Sequence, residues 1–391
     1  MSAIIYHSKR AIVNIFCFCL DAFITSHTSK IKQKPSKKQV LLIRIDAIGD
    51  FIIWTSTLPG YRQLYPKETH EITLVGHESW LSLAIKSGFF NHTFGIDRKK
   101  LMLDFKYRLQ IMSQISKWKA FDTVIYHTYS REFASGDLLV KKIKSKHKIS
   151  IKSDEAIDIN FWHNISNSWY SELKIPMVKG IHELFKNEAF IQSLGIQDYQ
   201  ISLPDLNYLK VKLNQKLPEK YYVLFPGARV HLRQWPEDKF AEIAKKIFQK
   251  YKLIGVICGS ENEYNLGESI KNSSEAPLIN LSGNTSLEEL INIIAHASFL
   301  IGNETSGIHI SVAMNVPSIC ILGGGHFGRF APYPVHFLNK SAAQFNTTFP
   351  MPCYNCDWNC KFQINKTDVV PCIKNIEEDQ VWNQVLKLIS E

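Results

Sequence analysis

The sequence lacks an apolar run long enough to cross a bilayer. Its longest early candidate, AIVNIFCFCLDAFI at residues 11–24, is interrupted by Asn14 and Asp21. That falls short of the roughly 20 residues a spanning helix needs. No small-x-small cleavage pattern follows, which argues against a secretory signal. Acid is scarce at the same end. Residues 1–40 hold Lys9, Arg10, Lys30, Lys32, Lys34, Lys37 and Lys38 against Asp21 alone, so +6 of the formal +10 lies in the first tenth of the chain. With charge gathered in a leader and no nucleic-acid motif elsewhere, a nucleic-acid-binding face spread over the fold is excluded. At helical spacing Ile12, Ile15, Phe16, Cys19 and Phe23 form one apolar face beside basic residues. Such a helix suits either an anionic membrane surface or the body of the protein.

What is present is an ordinary globular composition, 45% hydrophobic and 21% charged over 391 residues. That length exceeds one hydrophobic core and fits two domains. The eight cysteines do not read as a disulfide framework. Cys258 and Cys320 sit in apolar, strand-like runs, Cys17 and Cys19 belong to the leader, and a reducing, cytoplasmic setting fits best.

The body begins with the apolar run Val40–Ile45, turns at DAIGD, residues 46–50, and enters a helix-like stretch from Phe51 to about Leu64. Further strands are expected at Glu71–Val75 and Asp122–Tyr126, while residues 155–180 show no clean periodicity. Around residues 203–218 the chain turns polar, a plausible crossing between domains. The pattern then restarts with strands at Tyr221–Phe225, Leu253–Cys258 and Leu278–Leu281 and helices at residues 236–250 and 286–297. Ser286 and Glu289 form a capping box at the second of these helices. Strand alternating with helix implies parallel β-α-β units. The division expected is a basic leader at 1–39, one α/β domain at 40–205, a second at 206–350, and a cysteine-rich segment with a last helix at 351–391. Open α/β sheets bind ligands outside the carboxyl ends of their strands, so a crevice between the two domains is the expected site.

Three turns at such strand ends carry polar groups. In DAIGD, Gly49 permits a sharp turn, and Asp46 and Asp50 flank it as candidate proton acceptors or as helix caps. In PGARVHLRQWP, residues 226–236, Gly227 allows close approach to a ligand, while Arg229, His231 and Arg233 bring positive charge suited to phosphate. In IGNETSGIHISVAMNVPSICIL, residues 301–322, the polar cluster Asn303–Gly307 separates an apolar run from a helix. This is either an anion-binding helix start or a well-capped helix, since Thr305 and Ser306 are ordinary caps.

The segments RIDAIGDFIIWTSTLPGYRQLYP, FPGARVHLRQWPEDKFAEIAKKI and LSGNTSLEELINIIAHASFLIGNETSGIHISVAMNVPSICILGG resemble, in order, the heptosyltransferases of glycosyltransferase family 9. The resemblance implies a GT-B fold of two Rossmann-like domains facing across a cleft, acceptor on the N-terminal side and nucleotide-sugar on the C-terminal side. It implies inverting, metal-independent transfer with no cofactor required for catalysis. Carried onto this chain, Asp50 is the general base, with Asp46 and Gly49 on the acceptor side. Ala228, Arg229 and Arg233 face the donor diphosphate, Arg233 standing where lysine is usual. Glu263 approaches the ribose and Thr285 the base. Glu304, where many members have aspartate, faces the donor sugar, and Thr305, Ser306, Gly307 and His309 offer donors to the phosphates. The expected substrates are a nucleotide-diphosphate sugar, ADP-heptose first among them, and a lipopolysaccharide core, O-antigen or lipid-linked saccharide acceptor. The location implied is cytoplasmic, peripheral on the inner face of the inner membrane. Alternatives are a GT-B sugar-nucleotide hydrolase or epimerase, or a non-catalytic nucleotide-sugar or membrane-binding module.

Near the C-terminus Cys353, Cys356, Cys360 and Cys372 are spaced C-x2-C-x3-C-x11-C. They are candidates for a structural zinc or iron site, or a cluster that stays reduced. They stand outside the three turn motifs, which makes a catalytic metal a poor expectation. Val381, Trp382, Val385, Leu386 and Ile389 lie at helical spacing and predict a packing helix, which in GT-B proteins commonly returns to the N-terminal domain.

Overall fold

The computed structural model describes residues 2–24, 36–152, 160–174, 182–213, 216–339, 342–362, 365 and 368–390. Lys30, Lys32 and Lys34 of the leader, and residues 153–159 and 175–181 of the stretch without periodicity, lie outside them. The chain divides into two compact units, one of residues 1–51, 57–178 and 187–200, the other of residues 52–56, 179–186 and 201–391. The cysteine-rich tail belongs to the second.

The first unit carries strands β1 Lys38–Arg44, β2 His70–His77, β3 His92–Ile96, β4 Phe121–Tyr126, β5 Ser145–Ile151 and β6 Glu172–Lys174. The second carries β7 Tyr221–Phe225, β8 Ile254–Ile257, β9 Leu278–Asn280, β10 Leu300–Asn303, β11 Ser318–Ile321 and β12 Gln344–Thr347. The runs VLLIR in β1 and YYVLF in β7 are buried throughout, as strands covered by helices on both sheet faces must be. Every pairing is parallel. The orders are β3-β2-β1-β4-β5-β6 and β12-β11-β10-β7-β8-β9. Read from β9, the second order repeats the first, so each unit is one doubly wound Rossmann sheet and the chain has the GT-B fold. In each the winding reverses between the first and fourth strands of the unit, β1 and β4 or β7 and β10, and at that switch point the strand ends splay into a crevice.

Strands β3, β5, β6 and β12 escaped the sequence reading. Their alternation is short and half-exposed, as suits the outer parts of a sheet. The helix Asn160–Asn167 also lies within the stretch without periodicity. The C-terminal helix, Glu378–Ser390, departs from expectation in another way. Val381 and Val385 are buried in the core of the second unit, beside Phe240 and Ile247, so its apolar stripe serves the unit that precedes it in the chain.

The leader forms a helix, Ser2–Ala22. Its Cys17 enters the core of the first unit, and Asn14 and Asp21 are buried with it. Arg108 Nε and Nη2 donate to the two Asp21 carboxylate oxygens at 2.8 and 2.5 Å. Arg108 Nη1 also donates to the carbonyls of Leu101 and Ala134. Burial pushes the Asp21 carboxyl up even against the pull of Arg108, so the pair fixes where the helix sits more than it stabilises the fold. Asp21→Ala should therefore lower unfolding free energy by about 3–5 kcal/mol, because it strands a buried guanidinium. Asp21→Leu with Arg108→Met should recover most of that loss in urea denaturation.

Candidate functional site

In the first unit the site is built on a buried arginine. Arg44 ends β1, where its Nη1 donates to the His127 carbonyl at 2.6 Å, just beyond β4. Its Nη2 reaches the Asp50 carbonyl at 3.3 Å, and its Nε pairs with Asp46 Oδ2 at 3.0 Å. Thr128 Oγ1 also donates to Asp46 Oδ2 at 3.1 Å. Asp46 is thus committed to holding the turn across the switch point. Asp50 differs: it lies half-buried in the first turn of the helix Ile48–Thr55, where the helix dipole favours a carboxylate. Arg98, absent from the sequence reading, joins this edge. Burial lowers its pKa, yet Glu132, Asp46 and Asp50 outweigh that and raise it. No motif flags Arg98; it stands at the start of a short helix just after β3, a strand the sequence did not reveal.

In the second unit four strand ends converge. Asn303, the last residue of β10, is buried. Its Nδ2 donates to the Pro226 carbonyl at 2.6 Å and its Oδ1 accepts from the Trp235 amide at 3.1 Å. One side chain therefore ties both ends of the β7 turn to β10. Glu304 follows, only 7% exposed. Arg233 Nη2 lies 3.3 Å from its carbonyl and 3.5 Å from Oε2. On its other side the Arg233 guanidinium stacks on Trp358, 4.2 Å from the ring centroid.

Ser306–Ala313 is a helix whose N-cap is Thr305, and Thr305 makes no side-chain capping bond. Its hydroxyl instead donates to the Asn303 carbonyl at 3.3 Å. The well-capped alternative is therefore not what forms. Among the described residues the Ser306 and Gly307 amides meet no acceptor, which leaves a helix start able to bind an anion. At Gly307 a Cβ would stand 2.7 Å from the Phe225 ring, so glycine lets the helix close on the end of β7. His309 departs from its expected role: it is buried with Nδ1 3.0 Å from the Tyr333 hydroxyl. Burial, and then His182, push it down to about 3. A neutral, enclosed imidazole adds no positive charge to this edge.

Glu263 closes the β8 end. Its Oε2 accepts from the Ser260 amide and hydroxyl at 2.6 and 2.9 Å, as half of a capping box. The same carboxylate lies against Gly227, where a Cβ would fall 1.9 Å from Oε1. Ala228 is half-buried and Arg229 exposed on that turn. Thr285 is half-buried immediately before Ser286, whose capping box with Glu289 forms as expected.

The cysteine-rich segment meets the same cluster, contrary to its expected distance from the turn motifs. The Asn355 and Asp357 amides donate to the carbonyls of Gly324 and Gly325, at 2.7 and 3.0 Å. This brings Trp358 over Gly325 and onto Arg233. Trp358 Nε1 also donates to His326 Nδ1 at 3.3 Å. The glycine run after β11 was a legible signal for this contact; the tryptophan among cysteines was not. All four cysteines of the segment are free thiols. They are near enough for Cys372 to sense the other three, and Cys372 Sγ accepts from the Gly324 amide at 3.4 Å. A zinc or iron site needs its sulfurs within about 2.3 Å of one point. Among the described residues no group of three His, Cys, Asp or Glu side chains that could hold a metal ion is found, so the expected structural metal is without support.

The sequence model of glycosyltransferase family 9 (heptosyltransferase) matches residues 115–355. The chain belongs to that family. Lipopolysaccharide heptosyltransferase 3 of Escherichia coli (strain K12) is 24% identical over 310 residues, 76% of this chain and 86% of the relative. The glycosyltransferase family 9 structure from Veillonella parvula superposes with a TM-score of 0.70 at 17% identity, covering 92% of this chain and 99% of that one. E. coli heptosyltransferase WaaC with ADP-2-deoxy-2-fluoro heptose gives 0.65 at 15% identity, covering 89% and 99%. As a family 9 glycosyltransferase the protein is an enzyme. The family match takes in the β7, β8 and β10 turns, whereas Asp46, Gly49 and Asp50 precede it.

Two outcomes test this geometry. Gly227→Ala should lower the melting temperature, through overpacking worth about 1–3 kcal/mol. Adding Glu263→Ala, which removes the atoms in the way, should restore much of the loss in a thermal melt. The second concerns acid. Burial first, with nearby charges, holds His309 at about 3 and His182 and His326 at about 4, against about 6.5 in an unfolded chain. Between those values the unfolded state binds more protons. Stability should be full above pH 6.5 and fall as pH drops toward 4, and His309→Gln should flatten that slope in denaturant titrations.

Proposed function

We propose that this glycosyltransferase moves a heptose, or a closely related sugar, from ADP-heptose to a lipopolysaccharide core or O-antigen acceptor. Transfer is inverting and uses no catalytic metal. The names of its relatives and the ADP-heptose analogue bound by WaaC support the donor. The observation that carries the reading is the uncapped start of the Ser306–Ala313 helix beside Arg233. A departing nucleoside diphosphate must have its charge neutralised, and unpaired amides with a fixed guanidinium can do this without a metal ion.

Asp50 acts as general base. It takes the proton of the acceptor hydroxyl as that oxygen attacks the anomeric carbon. The new glycosidic C–O bond forms on the face opposite the breaking bond to the diphosphate, and the electron pair leaves with the nucleoside diphosphate. Arg233 and the Ser306 and Gly307 amides receive that charge, with Ala228, Arg229 and the Thr305 hydroxyl against the same phosphates. Glu263 takes the ribose, Thr285 the base, and Glu304 the sugar hydroxyls. Arg98 stands within electrostatic reach of Asp50 and brings positive charge to the same edge. An acceptor of this class puts the enzyme at the cytoplasmic face of the inner membrane.

Incubation with ADP-, GDP- and UDP-sugars should raise the melting temperature with the ADP-sugar most, since ligand bound only by the folded state stabilises it. Asp50→Asn should lower kcat by about 10²-fold or more with donor affinity retained. Arg233→Ala should weaken donor affinity by roughly 10- to 100-fold, the worth of a charged hydrogen bond. Donor turnover in the absence of acceptor would instead mark a hydrolase or epimerase.

A further inference from the structure

The N-terminal helix has two apolar faces. Its stripe toward the first unit carries Asn14, Cys17 and Asp21, all buried, with Val13 and Phe18 packed on the core beside them. Its outward stripe carries Ile12, Ile15 and Phe16, exposed by 66, 53 and 50%, and continues in Phe23 just past the helix end, exposed by 83%. A surface helix ordinarily buries its apolar stripe and wets its polar one. Here a second apolar stripe stays wet, and the Asp21–Arg108 pair locks it outward. The apolar patch extends beyond the helix. Phe105 lies 6.4 Å from Phe16, ring to ring, and Leu103 next to it is 64% exposed. Cys17 Sγ, 3.7 Å from the Met102 carbonyl, holds the two segments together. Contiguous exposed apolar surface of this kind marks a contact site.

The rim identifies the occupant. Lys9, Lys99, Lys100 and Lys106 are exposed around the patch. Of the acids nearby, Asp97 accepts from the Lys100 amide and faces its ammonium at 3.8 Å, and Asp104 accepts from the Tyr107 amide, which leaves Lys9, Lys99 and Lys106 as the cations of the rim. No helix among the described residues is long and apolar enough to cross a membrane. Apolar side chains ringed by lysine on a helix held flat against a domain match the boundary between headgroups and acyl chains. We infer that the outward stripe of the N-terminal helix, with Leu103 and Phe105, is a docking surface for an anionic bilayer. This deepens the proposed reading, since it brings the first unit to a lipid-linked acceptor, but its test does not depend on sugar transfer.

Flotation with vesicles of phosphatidylethanolamine and phosphatidylglycerol should carry the full-length protein upward, and vesicles of phosphatidylcholine alone should carry much less. Ile12→Ser/Phe16→Ser/Phe23→Ser should weaken vesicle binding on the order of 100-fold while leaving the melting temperature unchanged. If the triple variant unfolds, Phe23→Ser alone, at the most exposed position, should still weaken flotation. Lys99→Glu/Lys106→Glu should abolish the preference for phosphatidylglycerol. Wild-type protein that ignores both vesicles, or variants that float as well as wild type, would overturn the inference. So would a wild-type dimer that the triple variant makes monomeric, because a second copy would then cover the stripe. Transfer to a delipidated, water-soluble acceptor should be equal for wild type and triple variant, and unequal transfer would overturn a purely docking role. If the protein floats but transfers no sugar to any acceptor, the surface stands and the transferase reading falls.

Discussion

The second unit depends on the side chain of Asn303. Its amide bonds to the Pro226 carbonyl on one side and the Trp235 amide on the other, so ten residues of the β7 turn are held at both ends from β10. An asparagine can do this because it donates and accepts in one plane. Buried, those bonds have no water to replace them, and an unmade one costs the full desolvation of the group. The residues that follow inherit their positions from this clamp. Glu304 reaches Arg233 because the turn bearing Arg233 is fixed, and the Ser306–Ala313 helix starts where β10 ends.

The first unit meets the same topological demand differently. Two neighbouring parallel strands at a switch point diverge, and the gap must be bridged. Here β1 supplies Arg44, which reaches across to the His127 carbonyl beyond β4. A buried guanidinium cannot stand alone, and Asp46 is its counter-ion. That commitment separates the two aspartates of DAIGD. Asp46 is consumed by structure, and Asp50 lies one helical turn on, in the first turn of the helix that follows.

Much of this was legible in the residues. The runs VLLIR and YYVLF announce buried parallel strands because they lack alternation, and the polar turns after them stand at strand ends for the same reason. What escaped was set by tertiary context. Arg98 has no local signature, since its meaning comes from Glu132, Asp46 and Asp50, which are distant in sequence. His309 read as a ligand because it follows the motif, but its place on the helix aims it at Tyr333. Spacing alone made the four cysteines a metal candidate. The amides of Asn355 and Asp357, on either side of the second of them, instead dock on the Gly324 and Gly325 carbonyls.

That docked segment bears on how Arg233 works. Asn355, Asp357 and Trp358 all adopt positive φ, at 63, 50 and 60°. Asparagine and aspartate tolerate this region, whereas a bulky aromatic does so only when its surroundings compel it. The compulsion is visible: Trp358 lies over Gly325, bonds to His326 and stacks on Arg233. An unrestrained arginine has about 2 kcal/mol of rotamer entropy to lose when it grips a ligand. Arg233 has lost much of it already, pressed between Trp358 and Glu304. Its Nε is buried without a hydrogen-bond partner, so the guanidinium arrives oriented and still unsatisfied. Local strain in one loop is thereby exchanged for a preorganised cation in another.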